Sequence, residues 1–202
     1  MSDAVDHDQP VEVAEPPPSP PAKPKRSSGL RSLIEWGVIL AIALIGAVVI
    51  RTVLFQAFYI PSASMEPTLQ IHDRILVNKI SYDLHPIHRG DIVVFKKSAL
   101  RGISGPVNDL VKRVIGLPGD TLQSTFDGHI LVNGKQLNEP YLPRNTPSYN
   151  LTLLTVPAHH YFVMGDNRTD SADSRVFGPI DKSLIVGRAF VLIWPLNRLG
   201  FL

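Results

Sequence analysis

The chain of 202 residues contains no cysteine, which excludes disulfides, thiolate metal sites and cysteine nucleophiles. It also lacks a strong excess of charge, because 20 Lys/Arg residues against 18 Asp/Glu residues leave a formal net charge of +2. Proteins that bind nucleic acid usually present a concentrated basic surface, so nucleic acid is not an expected partner. The length suits one domain with appendages.

Residues 1–30 are acidic and then rich in proline, as in AEPPPSPPAKPKRSSG, and they contain almost nothing to bury. A segment of this composition cannot offset its own ordering entropy. It is therefore predicted to be a disordered tail.

The apolar run that follows is typical of a transmembrane helix. No charged residue lies between Glu35 and Arg51, and a helix over residues 31–55 is long enough to cross a hydrocarbon core of about 30 Å. The alternatives are a buried core helix and a cleaved signal peptide. Apolar residues on all sides argue against the first, and the long acidic region ahead, with no small-x-small site before Arg51, argues against the second.

Four basic residues lie close to the N-terminal side of this helix, namely Lys23, Lys25, Arg26 and Arg31. Only Arg51 lies close on the other side. The positive-inside tendency therefore predicts a cytoplasmic N-terminus and an extracytoplasmic domain over residues 56–202. The plasma membrane is the default location, and a thylakoid or other organelle membrane is the alternative.

Residues 56–202 have the pattern of a mostly β domain with antiparallel strands. Short apolar runs bounded by Gly, Pro, Asn and Asp cover residues 74–80, 91–97, 109–117, 129–137, 160–165 and 184–195. The pair Asn133-Gly134 is typical of a two-residue hairpin turn. Long amphipathic helical patterns are absent between the runs, so parallel crossover units are not expected.

Two serines, Ser62 and Ser64, lie between Pro61 and Pro67 in the stretch IPSASMEPTL, directly after the anchor. A serine nucleophile needs a general base beside it, but no G-x-S-x-G elbow is present. The histidines of HPIH (85–88) and HH (159–160) fit no metal-binding pattern, so they are interpreted as solvated loop residues and no metal or other cofactor is expected.

A lysine can act as general base when burial keeps it neutral. In the strand pattern DLVKRVIGL, Lys112 shares a face with the apolar Leu110 and Val114. The alternative is an edge-strand lysine that prevents aggregation.

The polar block MGDNRTDSADSRVFGPI covers residues 164–180. Within it, Asp173 and Arg175 are spaced to pair, and Ser171 offers a hydroxyl that could orient another group. The alternative is an ordinary polar loop.

Together and in this order after an anchor, four segments resemble type I signal peptidases, the membrane-bound Ser/Lys endopeptidases that remove signal peptides. The segments are PSASMEPTL, HDRILVNK with RGDIVVF, VKRVIGLPGD, and GDNRTDSADSRVFG. They cover most of residues 55–180. The short interval between Gly119 and Gly165 indicates the small form with a single anchor and a signal-peptidase-type β domain.

The resemblance implies a role for six residues. They are the nucleophile Ser64, the general base Lys112, Ser62 in the oxyanion hole with the Ser64 N–H, the lysine-orienting Ser171, and the supporting pair Asp173 and Arg175. Ala63, His72 and the pair Thr169-Asp170 depart from the common family residues, and none of them belongs to the dyad.

The implied activity is cleavage of exported preproteins after a small-x-small motif at the outer membrane face, through an acyl-enzyme. The implied partners are preprotein signal peptides, membrane lipids and, by proximity, the export machinery. Phe58, Tyr59 and residues 193–202 are predicted to contact the outer leaflet.

Three alternatives remain. A catalytically inactive, membrane-tethered module could bind signal peptides without cleaving them. The self-cleaving SOS repressors share a Ser/Lys dyad and a related fold, but they lack the anchor and the GDNRTDSADSR block. A scaffold that works through the proline-rich tail would make residues 1–29 indispensable.

Overall fold

The computed structural model describes residues 29–49, 54–97, 108–144 and 146–202. Residues 1–28, and with them nearly all of the predicted disordered tail, lie outside the described residues. The chain divides into two compact units, Met1–Ala43 and Leu44–Leu202.

Helix α1 covers Gly29–Val49 and consists mostly of Leu, Ile, Ala and Val. Its 21 residues extend over about 31 Å, and its window Arg31–Val49 is long and apolar enough to cross a membrane. The prediction of a helix reaching residue 55 is wrong at its C-terminal end, because Phe55 is already the first residue of a strand. Backbone pairing with the neighbouring strand replaces helical hydrogen bonds there.

The remainder is an antiparallel β domain, as the alternating patterns predicted. Its strands are β1 Phe55–Tyr59, β2 Arg74–Asn78, β3 Ile92–Lys96, β4 Asp109–Gly116, β5 Thr121–Ser124, β6 Ile130–Val132, β7 Lys135–Gln136, β8 Leu154–Thr155, β9 His160–Met164, β10 Ile180–Asp181, β11 Ile185–Trp194 and β12 Gly200–Phe201. Two short helices, α2 Ser81–Leu84 and α3 Ser174–Phe177, interrupt them.

The described strands form two sheets. The larger has the order β1-β2-β11-β3-β4-β9-β10, and β12 extends it by pairing with β11. The smaller has the order β7-β6-β5-β8, and its β6–β7 turn is the predicted Asn133-Gly134 pair, with both residues at positive φ.

Three apolar clusters hold the sheets together. The first joins the segment after β1 to the larger sheet through residues such as Met65, Leu69 and Ile75, which are buried. Full burial of one such side chain stabilises the fold by about 1.5–3 kcal/mol. Phe58 packs against this cluster and is partly buried, so the expectation that it faces the outer leaflet is wrong.

Candidate active site

The segment that carries Ser64 is fixed by the side chains on either side of it. A short 3-10 turn covers Ala63–Met65, and the buried Met65 and Leu69 anchor the following residues in the first apolar cluster. Pro61 restricts the backbone at the start of the segment. Ser64 is therefore held at the surface of the core with its hydroxyl half-buried.

Strand β4 brings Lys112 to this serine. The Lys112 Nζ donates a hydrogen bond of 2.6 Å to Ser64 Oγ, although 48 residues separate the two along the chain. An edge-strand lysine that prevents aggregation would be exposed to water, so the burial of Lys112 makes that alternative wrong. The side chain points inward, and only 3% of the residue is exposed.

Burial lowers the pKa of Lys112 from 10.5 to about 8, since a charged ammonium is disfavoured away from water. The negative charges of Asp173, Asp166 and Asp170 oppose this effect, whereas the positive charge of Arg175 adds to it. The burial effect is the larger. A substantial fraction of the lysine is consequently neutral at mildly alkaline pH.

Ser62 lies beside the pair, with its Oγ 3.3 Å from Ser64 Oγ. The two hydroxyls therefore face the same space in front of the 3-10 turn. The Ser62 hydroxyl and the backbone N–H of Ser64 are the two donors that the family resemblance implies for an oxyanion hole.

The Ser171 hydroxyl is buried and has no hydrogen-bond partner among the described residues. No hydrogen bond to Lys112 is formed in this state. Gly165 lies between Ser171 and Ser64, and a Cβ at this position would overlap both Ser171 Oγ and the carbonyl oxygen of Ser64. Glycine is the residue that such close approach permits.

Asp173 and Arg175 form a two-point ion pair, with Arg175 Nε and Nη2 at 2.9 and 2.8 Å from the two carboxylate oxygens. Asp173 also caps helix α3 by accepting the Arg175 backbone N–H, and it accepts the Gly165 N–H at 3.1 Å. The pair thus ties the polar block to the residue that touches Ser64.

The polar block also holds the segment around Ser64 directly. The Asn167 side chain donates to the carbonyl oxygen of Ala63, and its backbone N–H donates to that of Ser64, both at 3.2 Å. Asp166 accepts a hydrogen bond of 2.5 Å from Thr68.

A further set of residues around Arg113 was not predicted from the sequence. Arg113 follows Lys112 in β4 and binds Asp166 through two hydrogen bonds of 2.9 and 2.7 Å. The Tyr141 ring covers the guanidinium, whose Cζ lies 3.9 Å from the ring centroid. The dipeptide Lys112-Arg113 inside an apolar strand was the available signal, since a buried arginine requires a partner.

Within the described residues, no group of three or more His, Cys, Asp or Glu side chains is arranged to hold a metal ion. His85, His88 and His159 are exposed, as expected for loop residues. His160 is half-buried as the first residue of β9, so its interpretation as a solvated loop residue is wrong.

A family model described as signal peptidase, peptidase S26, matches residues 33–194 of the chain. The chain belongs to this family. Signal peptidase I from Leptolyngbya laminosa is 44% identical over 188 residues, which are 91% of this chain and 92% of the relative. A probable signal peptidase I-2 from Synechocystis is 42% identical, covering 90% of this chain and 82% of the relative. Signal peptidase I from Bacillus amyloliquefaciens is 37% identical, covering 87% and 95%.

Family membership confirms the resemblance to type I signal peptidases. The protein is a serine peptidase of the signal peptidase I type, and its activity is the cleavage of signal peptides. The relatives and helix α1 together indicate a membrane-anchored form.

Proposed function

We propose that Ser64 and Lys112 form the catalytic dyad of this signal peptidase, and that it cleaves exported preproteins after a small-x-small motif. The 2.6 Å separation of Lys112 Nζ and Ser64 Oγ, inside a site that buries the lysine, carries this proposal. The lowered pKa of Lys112 supports it, because a base has to be neutral before it accepts a proton.

In the first step, neutral Lys112 accepts the Ser64 hydroxyl proton as Oγ attacks the carbonyl carbon of the scissile bond. A C–O bond forms and the carbonyl π electrons move to the oxygen. The Ser64 N–H and the Ser62 hydroxyl donate to this oxyanion. Loss of one such donor slows a reaction of this type by about 10²–10³-fold.

In the second step, the Lys112 ammonium returns the proton to the leaving amine, and the C–N bond breaks to give an acyl-enzyme. Lys112 then activates a water molecule that releases the signal peptide. The Ser171 hydroxyl, which is buried and unpartnered among the described residues, is available to orient the ammonium after Ser64 has given up its hydrogen bond. Asp173 and Arg175 support this arrangement from behind.

The substrate would bind as an added strand along β4. Residues 109–112 pair with β3 on one side, whereas the described pairing with β9 begins only at Arg113. Among the described residues, no strand pairs with the second edge of residues 109–112, so we expect an extended peptide to pair there. Alternate side chains of a bound strand point the same way, which suits recognition of two small residues separated by one.

The proposed topology follows from the charges around the anchor. The basic residues before α1 favour a cytoplasmic N-terminus, so the domain over residues 56–202 lies on the extracytoplasmic side. Preproteins emerge from the export machinery at this face, which brings their cleavage sites to Ser64. The plasma membrane is the default location, and a thylakoid or other organelle membrane would present the same geometry.

An open face of the larger sheet supports contact with lipids. Tyr59, Arg74 and Trp194 are direct partners across β1, β2 and β11, so they share one face. The neighbouring row on that face consists of Ala57, Leu76, Val191 and Phe201. Tyr59 and Trp194 are 51% exposed and Phe201 is 90% exposed.

This face has the composition of a membrane interface. Aromatic rings lie at headgroup level in membrane proteins, and an arginine between them can reach lipid phosphates. Arg74 has no ion-pair partner among the described residues.

The decisive experiment compares cleavage of a preprotein in detergent by the wild type, Ser64→Ala and Lys112→Ala. We expect cleavage after the small-x-small motif by the wild type alone, with no effect of chelators. Equal cleavage by all three proteins would assign the activity to other residues. Signal-peptide binding by all three without any cleavage would contradict the proposed mechanism in favour of a binding module.

A further inference from the structure

The segment Glu139-Pro140-Tyr141 reaches both arginines behind the candidate dyad. Tyr141 lies with its ring over Arg113, and its hydroxyl donates a hydrogen bond of 2.8 Å to Glu139 Oε1. The Glu139 carboxylate in turn binds both terminal nitrogens of Arg168. Glu139 and Tyr141 thus close a network around two guanidinium groups.

The two arginines hold different parts of the site. Arg113 is the neighbour of Lys112 in β4 and also donates a hydrogen bond of 2.9 Å to the carbonyl oxygen of Gly90. Arg168 lies in the polar block, and its Nε donates a hydrogen bond of 3.1 Å to the carbonyl oxygen of Gly165, the residue that touches Ser64. Fixing both guanidiniums therefore fixes the lysine strand relative to the nucleophile.

The network is largely closed to water, with 13% of the Glu139 side chain exposed and Tyr141 half-buried. The side chains of Asp166 and Arg168 have no exposed area, and that of Arg113 is 8% exposed. A cation over an aromatic face gains more attraction when both are desolvated. The hydrogen bonds of Arg113 lie in the guanidinium plane and leave its two faces open, and the Tyr141 ring covers one of them.

We propose that Tyr141 is a positioning residue whose ring keeps Arg113 bound to Asp166 and thereby keeps Lys112 within hydrogen-bonding distance of Ser64. The segment comes from the connection after the smaller sheet, and Tyr141 also packs on the apolar cluster of that sheet. The smaller sheet then has a role in the reaction as well as in stability. This inference rests on the proposed Ser/Lys mechanism.

The pH dependence of the reaction reports this role. The charged groups around Lys112 are Asp166, Asp170, Asp173 and Arg175. A loosened Arg113–Asp166 contact would admit water to Lys112 and leave the Asp166 charge less compensated. Both changes favour the ammonium, so the rise of activity would move to higher pH.

The test uses the full chain in detergent, with kcat, KM and the melting temperature measured for a preprotein between pH 6 and 10. Tyr141→Leu removes the ring, and we expect kcat to fall about tenfold near pH 7 with KM within about twofold, because misplaced catalytic groups reduce the rate of the bound state. Tyr141→Phe keeps the ring over Arg113, and we expect its pH profile to match the wild type.

Tyr82→Leu is the matched control, because Tyr82 is also largely buried and donates to a carboxylate, Asp91, at 3.1 Å. We expect Tyr82→Leu to lower the melting temperature and to leave the pH at which activity rises unchanged. The positioning role is overturned if Tyr141→Leu lowers only the melting temperature, as this control does. It is also overturned if Tyr141→Phe moves the rise of activity with pH as far as Tyr141→Leu does.

Arg113→Lys provides a second route that does not depend on the folding of Tyr141→Leu. If the ring acts through the guanidinium, Arg113→Lys also moves the rise of activity to higher pH. Combining it with Tyr141→Leu then adds little to the shift that either change causes alone. Additive shifts would overturn the inference. Full activity of Lys112→Ala would instead overturn the proposed dyad itself, so the two failures are distinguishable.

Discussion

Lys112 illustrates how an ordinary side chain is suited to a chemical task by its surroundings. Exposed lysine is protonated at neutral pH and cannot accept a proton. Burial in β4 lowers its pKa to about 8, even though three aspartates act in the opposite direction. The same residue is therefore a source of reactivity and of instability.

The pH dependence of the activity follows from that value. We expect kcat/KM to rise with pH through an apparent pKa near 8, because only the neutral lysine accepts the Ser64 proton. The measurement is the initial rate of preprotein cleavage from pH 6 to pH 10. A profile that is flat over this range would contradict a lysine base.

The stability of the protein should respond to the same group. At pH 7 both the folded and the unfolded chain carry the protonated lysine, and burial of that charge destabilises the fold by roughly 3 kcal/mol for a pKa lowered from 10.5 to about 8. Lys112→Met should therefore abolish cleavage and raise the free energy of unfolding by about 1–3 kcal/mol at pH 7.

The stability gained by Lys112→Met should shrink as the pH rises from 8 toward 10.5. In that window Lys112 of the wild type loses its proton in the folded chain before it does in the unfolded chain, so the wild type becomes more stable. Denaturant unfolding of both proteins in detergent at pH 7 and pH 10 tests this. Lower stability of Lys112→Met at pH 7 would contradict the unfavourable burial of a charged lysine.

At the scale of elements, the site is a meeting of the Ser64 segment, strand β4 and the polar block after β9. Periodicity predicted strand β4, because alternation is local, but it left open whether Lys112 was a buried base or an edge-strand lysine. The polar block was predicted as a bracing turn, but its direct contact with Ser64 through Gly165 was not. Close approach of two backbones has no signature in a single sequence beyond the glycine itself.

Gly165→Ala tests that contact. The added Cβ would overlap the Ser64 carbonyl oxygen and the Ser171 hydroxyl, so we expect loss of at least about 10²-fold in kcat from displacement of the nucleophile. Ser171→Ala in the same chain should not restore activity, because the backbone oxygen still obstructs the Cβ. Wild-type cleavage by Gly165→Ala would show that the two segments separate freely.

At the scale of the whole molecule, the open face of β1, β2, β11 and β12 is the feature that departs most from an ordinary water-soluble domain. It combines exposed aromatic residues with Arg74, which has no ion-pair partner among the described residues. Monomeric soluble proteins rarely leave large contiguous apolar patches uncovered.

The chain offers a direct probe of this face, since its two tryptophans are Trp36 in α1 and Trp194 in β11. With Trp36→Phe in vesicles, we expect brominated lipids to quench Trp194 fluorescence. As a control, Phe126→Trp in a chain lacking both native tryptophans places the probe at the exposed β5–β6 turn and should not be quenched. Equal quenching at both positions, or none at Trp194, would contradict the lipid-contacting face.

The sequence by itself determined the classes of structure in this protein: an apolar helix, a set of short antiparallel strands and a hairpin at Asn133-Gly134. These follow from hydrophobic periodicity and turn chemistry, which act over a few residues. The tertiary structure alone decided where α1 ends, that Phe58 turns inward, and that Glu139 and Tyr141 close the network behind Lys112. Such contacts join residues far apart in the chain, and only the pairing of strands and the packing of the core bring them together.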